Sequence, residues 1–170
     1  MEFRRKNIRL PADQYRGRRV YFLTLCCYQR RPFFRNIRFA KWLVREIEKH
    51  AAAHRFALHA WTVMPDHVHI LFEGVDHGCD LLTLTSRLKR RTSTVVRMRR
   101  NVKLWQGKFY DHILRTSDSM DGVAWYIWMN PVRKGLCSAV EEYPFSGSAT
   151  IEWRRVSRPN TEWRPPWRSV

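Results

Sequence analysis

In the run ALHAWTVMPDHVHILF, residues 57–72, two apolar segments meet at a Pro-Asp pair. Segments 57–64 and 67–72 have the length of strands, and Pro65 with Asp66 supplies a tight turn between them, so an antiparallel hairpin is predicted. Because successive strand residues face opposite sides, His67 and His69 share one face and Val68, Ile70 and Phe72 share the other.

Working outward, the aromatic and β-branched run 20–28 reads as a strand. Asn36 is a candidate helix cap, and Phe39, Leu43, Ile47 and Ala51 recur every four residues with Lys41, Arg45, Glu48 and Lys49 between them, which predicts an amphipathic helix to about His54. Beyond the hairpin, Leu81, Leu84, Leu88, Thr92 and Val95 mark a second helix, whose other faces carry Arg87, Lys89, Arg90, Arg91, Arg97 and Arg99. Residues 109–115 read as a fourth strand, and a third helix starts near Asp118 and stops before Pro131. The order β-α-β-β-α-β-α predicts an α+β protein with an antiparallel sheet covered by helices in ferredoxin-like order. One domain is expected over 1–150, including a basic lead-in, followed by a Trp-, Arg- and Pro-rich tail over 151–170.

The charge narrows the partner. Lys and Arg outnumber Asp and Glu 32 to 15, a net charge of +17, so the chain should seek a polyanion, with nucleic acid the leading candidate. No acidic residue occurs between Asp80 and Asp111. A binding face is therefore expected, with Arg87, Lys89, Arg90 and Arg91 and the N-terminal Arg4 and Arg5 as phosphate contacts. The N-terminus lacks the apolar stretch of a signal peptide, and the longest uncharged apolar run is too short to span a bilayer, so no membrane partner and a cytoplasmic location are expected. Cys26, Cys27, Cys79 and Cys137 form no CxxC pair and read as reduced thiols in packing roles. A Walker loop and a GxGxxG sequence are both lacking, so no nucleotide cofactor is indicated.

Two residue pairs carry chemistry. His67 and His69 can close on one metal, although an HxH in a strand, taken alone, better fits two partly buried histidines each satisfied by a hydrogen bond. Tyr126 and Asn130, four residues apart on the third helix, share a face, so an amide oxygen can reach a metal beside the tyrosine hydroxyl. A core aromatic and a helix-terminal Asn before Pro131 fit the same spacing. Asp66 reads as the turn residue, with orientation of a histidine as the alternative. His112 reads as a DNA contact or a structural histidine, and Trp105 as core. For Trp153, Trp163 and Trp167, base stacking and structural docking stand level.

The strings MPDHVHILF (64–72) and YIWMNPVRKGL (126–136) occur in the order and spacing of a known family. With GRRVYFLTL (17–25), the stretch 105–115 and EYPFSGS (142–148), they make the chain resemble the single-tyrosine HUH transposases, and within them the REP-associated tyrosine transposases. The resemblance implies an HUH endonuclease-type fold, with His67 and His69 as metal ligands, Tyr126 as nucleophile and Asn130 as the polar residue one turn further on. Members coupled to insertion sequences usually carry Gln there, so Asn130 agrees with the REP-associated branch. It also implies magnesium or manganese as cofactor and single-stranded or hairpin DNA of palindromic repeats as partner. Cleavage would proceed through a 5′-phosphotyrosine link, within one subunit or across a homodimer. Two other functions fit the same features: a catalytically silent DNA- or RNA-binding regulator, and a metal nuclease in which water replaces the tyrosine.

Overall fold

A computed structural model describes residues 10–156, 158, 159 and 163–165. Arg4, Arg5 and Trp167 lie outside the described residues. Strand β1 (Val20–Cys26) leads through two short 3-10 turns to helix α1 (Ile37–Ala53), then to the hairpin of β2 (Phe56–Met64) and β3 (His67–Gly74). Helix α2 (Leu81–Arg100), strand β4 (Tyr110–Ile113), helices α3 (Met120–Trp128) and α4 (Asn130–Arg133) and the short strand β5 (Ser146–Gly147) follow. The sheet order is β4-β1-β3-β2-β5, with every pair antiparallel. Its first four strands follow the ferredoxin-like arrangement expected from the element order, and β5 extends it beside β2.

The sheet separates two cores because its strands alternate faces. Leu23 and Leu25 of β1 and Val68, Ile70 and Phe72 of β3 meet α1 and α2 through Leu43, Ile47, Leu84 and Leu88. Phe22, Ala60 and Leu71 face the other way and pack on Val123, Tyr126, Ile127 and Trp128 of α3. With both faces covered, the strands are buried almost throughout, which explains why they read as apolar runs with few polar interruptions.

Local chemistry sets the helix ends. The Asn36 side chain accepts from the Phe39 N–H at 3.0 Å, and Asp80 accepts from Thr83 N–H at 3.1 Å, each satisfying a donor of the first turn. Helix α2 runs five residues past Val95, through a segment whose exposed Arg97, Met98, Arg99 and Arg100 give no periodic signal, and ends at Asn101 in the left-handed region with φ 49°. The expected third helix is instead two: Tyr126 lies in α3 and Asn130 opens α4. The cause is Pro131, which has no N–H to give to the carbonyl four residues back. Asn130 makes up the deficit, its Nδ2 donating to Tyr126 O at 3.0 Å and Ile127 O at 3.3 Å.

Among the described residues after 150 there is one 3-10 turn, and Trp153 and Trp163 pack against the rest of the chain. Trp153 lies 5.5 Å from Trp128, ring to ring, and Trp163 lies 5.1 Å from Tyr126. Both therefore dock against the protein. No helix among the described residues is long and apolar enough to cross a membrane.

Candidate active site

Strand register assembles the histidine pair. In the antiparallel ladder Thr24 of β1 lies opposite His69, and Cys26 opposite His67, so Thr24 and both imidazoles share the face that looks toward α3. Both histidines are 8% exposed. Each has its Nδ1 engaged: His67 with Asp66 Oδ1 at 2.5 Å, His69 with Thr24 Oγ1 at 2.8 Å. The two Nε2 atoms face one another at 3.1 Å.

This arrangement restricts the tautomers. An ionised carboxylate only accepts, so His67 carries its proton on Nδ1 and presents a lone pair at Nε2. In the metal-free protein His69 can donate from its own Nε2 to that lone pair while its Nδ1 accepts from the Thr24 hydroxyl. Because a hydroxyl donates or accepts by rotating, Thr24 equally allows the tautomer in which both Nε2 lone pairs converge. Burial pushes the His67 pKa below its ordinary value, opposed by the Asp66 hydrogen bond, and so favours the neutral, ligating form.

The Asp66 carboxylate has a second role beside the turn. Its other oxygen pairs with Arg30 Nε at 3.1 Å, forming an Arg30–Asp66–His67 chain. The expectation that Asp66 serves the turn is thus incomplete, because Asp66 also fixes the imidazole beside it.

Tyr126 is 7% exposed and stands on α3 above the same sheet face. Its ring centroid is 6.4 Å from His69 and 6.1 Å from Phe22. Arg133 sits over the ring at 4.3 Å and donates from Nη2 to Tyr126 O at 2.5 Å. Trp163 closes the far side, its Nε1 donating to Asp118 Oδ1 at 3.1 Å. Asp118 also accepts from His112 Nε2 at 2.9 Å, so His112 has a structural partner. Asn130, buried one turn beyond Tyr126, uses its amide nitrogen in the two bonds to backbone.

Among the described residues no group of three His, Cys, Asp or Glu side chains has the arrangement to hold a metal. The donor set nevertheless fits a divalent cation. Two nitrogens each about 2.1 Å from one ion lie roughly 3 Å apart when the ligand angle is near 90°, close to the 3.1 Å separating the two Nε2 atoms. Two neutral imidazoles leave the remaining positions of such an ion open to further ligands.

The basic residues of α2 are not brought to this site. Their helix packs on the opposite face of the sheet, where Arg87, Arg90 and Arg91 are exposed. Lys89 donates to Gln106 O at 2.7 Å and Gly107 O at 3.1 Å, tethering the loop before β4. Arg91 finds a partner in Glu46 of α1 at 3.6 Å, an acid that no count along α2 could reveal. Trp105 is core, buried and donating to Thr92 Oγ1 at 2.8 Å.

Comparison with known proteins gives the family and the fold. The family model described as "Transposase IS200 like" matches residues 18–128. A REP-associated tyrosine transposase of Escherichia coli (strain K12) is 26% identical over 91 residues, 54% of this chain and 53% of that protein, so the match spans about half the relative's length. An uncharacterized protein of Haemophilus influenzae is 24% identical over 159 residues, covering 75% of this chain and 88% of that one. Among solved structures, a REP-associated tyrosine transposase bound to a REP hairpin superposes with a TM-score of 0.69 at 23% identity, over 83% of this chain and 81% of that chain. The fold is shared, the family model covers the strand of the histidine pair and the helix of Tyr126, and the chain belongs to the IS200-like transposases, a family of DNA-processing proteins.

Proposed function

We propose that this protein nicks and rejoins single-stranded DNA beside hairpins of palindromic repeats through a covalent link to Tyr126, using Mg²⁺ or Mn²⁺ held by His67, His69 and Asn130. The observation that carries the reading is the convergence of two Nε2 atoms at 3.1 Å, each on an imidazole anchored through Nδ1, beneath the ring of a tyrosine. Residues 1–150 would form the catalytic domain and 151–170 its tail.

When bound, the cation supplies Lewis-acid polarisation of the scissile phosphate. A tyrosine hydroxyl, with an ordinary pKa of about 10, is a weak nucleophile at neutral pH and needs such help. Asp66 holds the His67 proton on Nδ1, keeping Nε2 free, and Arg30 holds Asp66. Thr24 lets His69 adopt the matching tautomer. Phe22, stacked on His69 with centroids 5.5 Å apart, keeps that ring in its plane and excludes water from one side. Arg133 fixes the Tyr126 ring and its backbone, and leaves a guanidinium next to the reacting phenol. Attack of Tyr126 Oη on phosphorus forms the phosphotyrosine bond and breaks the bond to the 3′ oxygen, which leaves as a free 3′-hydroxyl. The phenol proton passes to water or to the leaving oxygen. One ester replaces another, so a second 3′-hydroxyl can reverse the step and join strands.

The deciding experiment is incubation of the protein with labelled hairpin DNA and Mn²⁺ or Mg²⁺, followed by denaturing electrophoresis. A protein–DNA adduct that disappears in Tyr126→Phe is expected. Cutting without an adduct under rapid quenching would select the hydrolytic nuclease, and binding without cutting would select the silent regulator. Mixing Tyr126→Phe with His67→Ala protein separates the arrangements of the active site: cleavage is restored only if subunits of a homodimer share it.

A further inference from the structure

On the opposite side of the sheet from the histidines, the N-terminal half of α1 and the C-terminal half of α2 border a cleft of about 410 Å³. Its walls combine the half-buried rings of Phe33, Phe39 and Trp42 with the exposed cations Arg38, Arg99 and Arg100. The rings are ordered. Phe34, Phe39 and Trp42 form a ladder with centroid spacings of 5.3 and 5.2 Å and interplanar angles of 26° and 16°. Such near-parallel stacking ends in the cleft at Trp42, where another flat ring can be added.

Charge and continuity identify what that ring belongs to. No acidic residue lines the cleft, and Arg38, Arg99 and Arg100 make no ion pair with any described residue. A second hollow, lined by Arg31, Pro32, Phe33 and Arg100, prolongs the cleft. Its wall of Arg31, Pro32 and Phe33 belongs to the segment that is bonded to the β2–β3 turn through Phe34 N–H and Pro65 O at 2.9 Å. The next residue of that turn is Asp66, the partner of His67. Cations flanking a stacking platform suit a phosphodiester strand with unpaired bases, since every base has a π-face and every linkage an anionic oxygen. A small neutral ligand would leave the three guanidiniums without use, and a duplex would bury its bases away from Trp42.

We propose that this cleft is a second nucleic-acid site, which holds an unpaired base of single-stranded DNA on Trp42 and its flanking phosphates on Arg38, Arg99 and Arg100. Arg31 guides the strand between this site and the β2–β3 turn. The proposal rests on the reading that the protein acts on DNA, and adds a hold on the strand outside the hairpin, remote from the histidine pair.

The test compares a bare labelled hairpin, the same hairpin with an arm of about ten thymidines at its 5′ or 3′ end, and the single-stranded arm alone. In the wild type one arm should raise affinity at least about fivefold over the bare hairpin. Trp42→Ala should cancel that gain, Trp42→Phe should retain most of it, and Arg99→Ala/Arg100→Ala should cancel it with a shallower salt dependence. All three variants should bind the bare hairpin like the wild type. The double arginine variant changes only exposed side chains, so it remains decisive if Trp42→Ala fails to fold. Failure of the bare hairpin to bind, with Trp42-dependent binding of the arm, would remove the hairpin reading and leave this site standing. Absence of any gain from either arm, or equal loss on all three DNAs, overturns the proposal.

Discussion

Replacing Asp66 with Asn tests whether the histidine pair is built to hold a cation. The substitution preserves size and an oxygen that can accept from His67 Nδ1, now separated by 2.5 Å from the carboxylate. It removes the negative charge and turns an amide NH₂ toward Arg30, whose Nε is 3.1 Å from Oδ2. A charge-assisted hydrogen bond thus becomes a neutral one and Arg30 loses its partner. Loss of such an outer partner typically costs 10–100-fold in metal affinity, equivalent to about 1.4–2.7 kcal/mol. Adduct formation titrated with Mn²⁺ should therefore need roughly 10–100 times more metal in Asp66→Asn. Near-normal rates should return at saturation, because Tyr126 is untouched. Arg30→Ala should shift the titration less, since that side chain is 53% exposed and its pair with Asp66 is screened by water. If folded Asp66→Asn gave the wild-type titration, the orienting role assigned to Asp66 would be wrong.

His67→Ala and His69→Ala should each remove metal-dependent cleavage while leaving hairpin affinity, read by gel shift, within a few-fold of wild type. Asn130→Ala should slow cleavage and raise its metal requirement without abolishing it, because water can replace a neutral oxygen; its melting temperature will also fall, since Tyr126 O and Ile127 O lose a donor. Burial holds the His67 pKa below its usual value, so below about pH 6.5 the unfolded chain takes up a proton that the folded chain does not. Stability is then full above that pH and declines as pH falls through this range, and a urea midpoint measured at pH 8 and pH 5.5 should drop more in the wild type than in His67→Gln. Gly147→Ala should destabilise by about 1–3 kcal/mol in urea unfolding, because an added Cβ would collide with the Trp61 ring.

The hairpin, the first two helices and the HxH face were legible because each rests on local chemistry: a Pro-Asp turn, an Asn36 cap, an apolar repeat, a period of two. What escaped rests on contacts between residues distant in sequence. Thr24 meets His69 only through the β1–β3 register, across 45 positions. Arg133 reaches Tyr126 from α4, beyond the Pro131 before which the third helix is expected to stop. The gap in acidic residues between Asp80 and Asp111 is real, yet Glu46 enters from α1 and neutralises Arg91. Trp163 ends on Tyr126 through ring packing and a hydrogen bond to Asp118, contacts 37 and 45 positions apart that no local pattern announces.

The division of the sheet keeps most of the basic surface of this chain away from the histidine pair. Arginines crowded around His67 and His69 would disfavour a cation by direct repulsion, at an energy that burial amplifies. Here α2 and its arginines sit behind the sheet; on the histidine side Arg30 pairs with Asp66 and Arg133 with the Tyr126 ring and carbonyl, while burial and, after it, the charges of Arg30 and Lys134 still press the His67 pKa down. The basic face of α2 is thereby kept apart from the histidines. The β2–β3 turn is where the two meet, with Pro65 O bonded to the segment that bears Arg31 and Asp66 bonded to His67. A DNA strand held on both sides as proposed would pass beside this turn, next to the Asp66 that orients the imidazole.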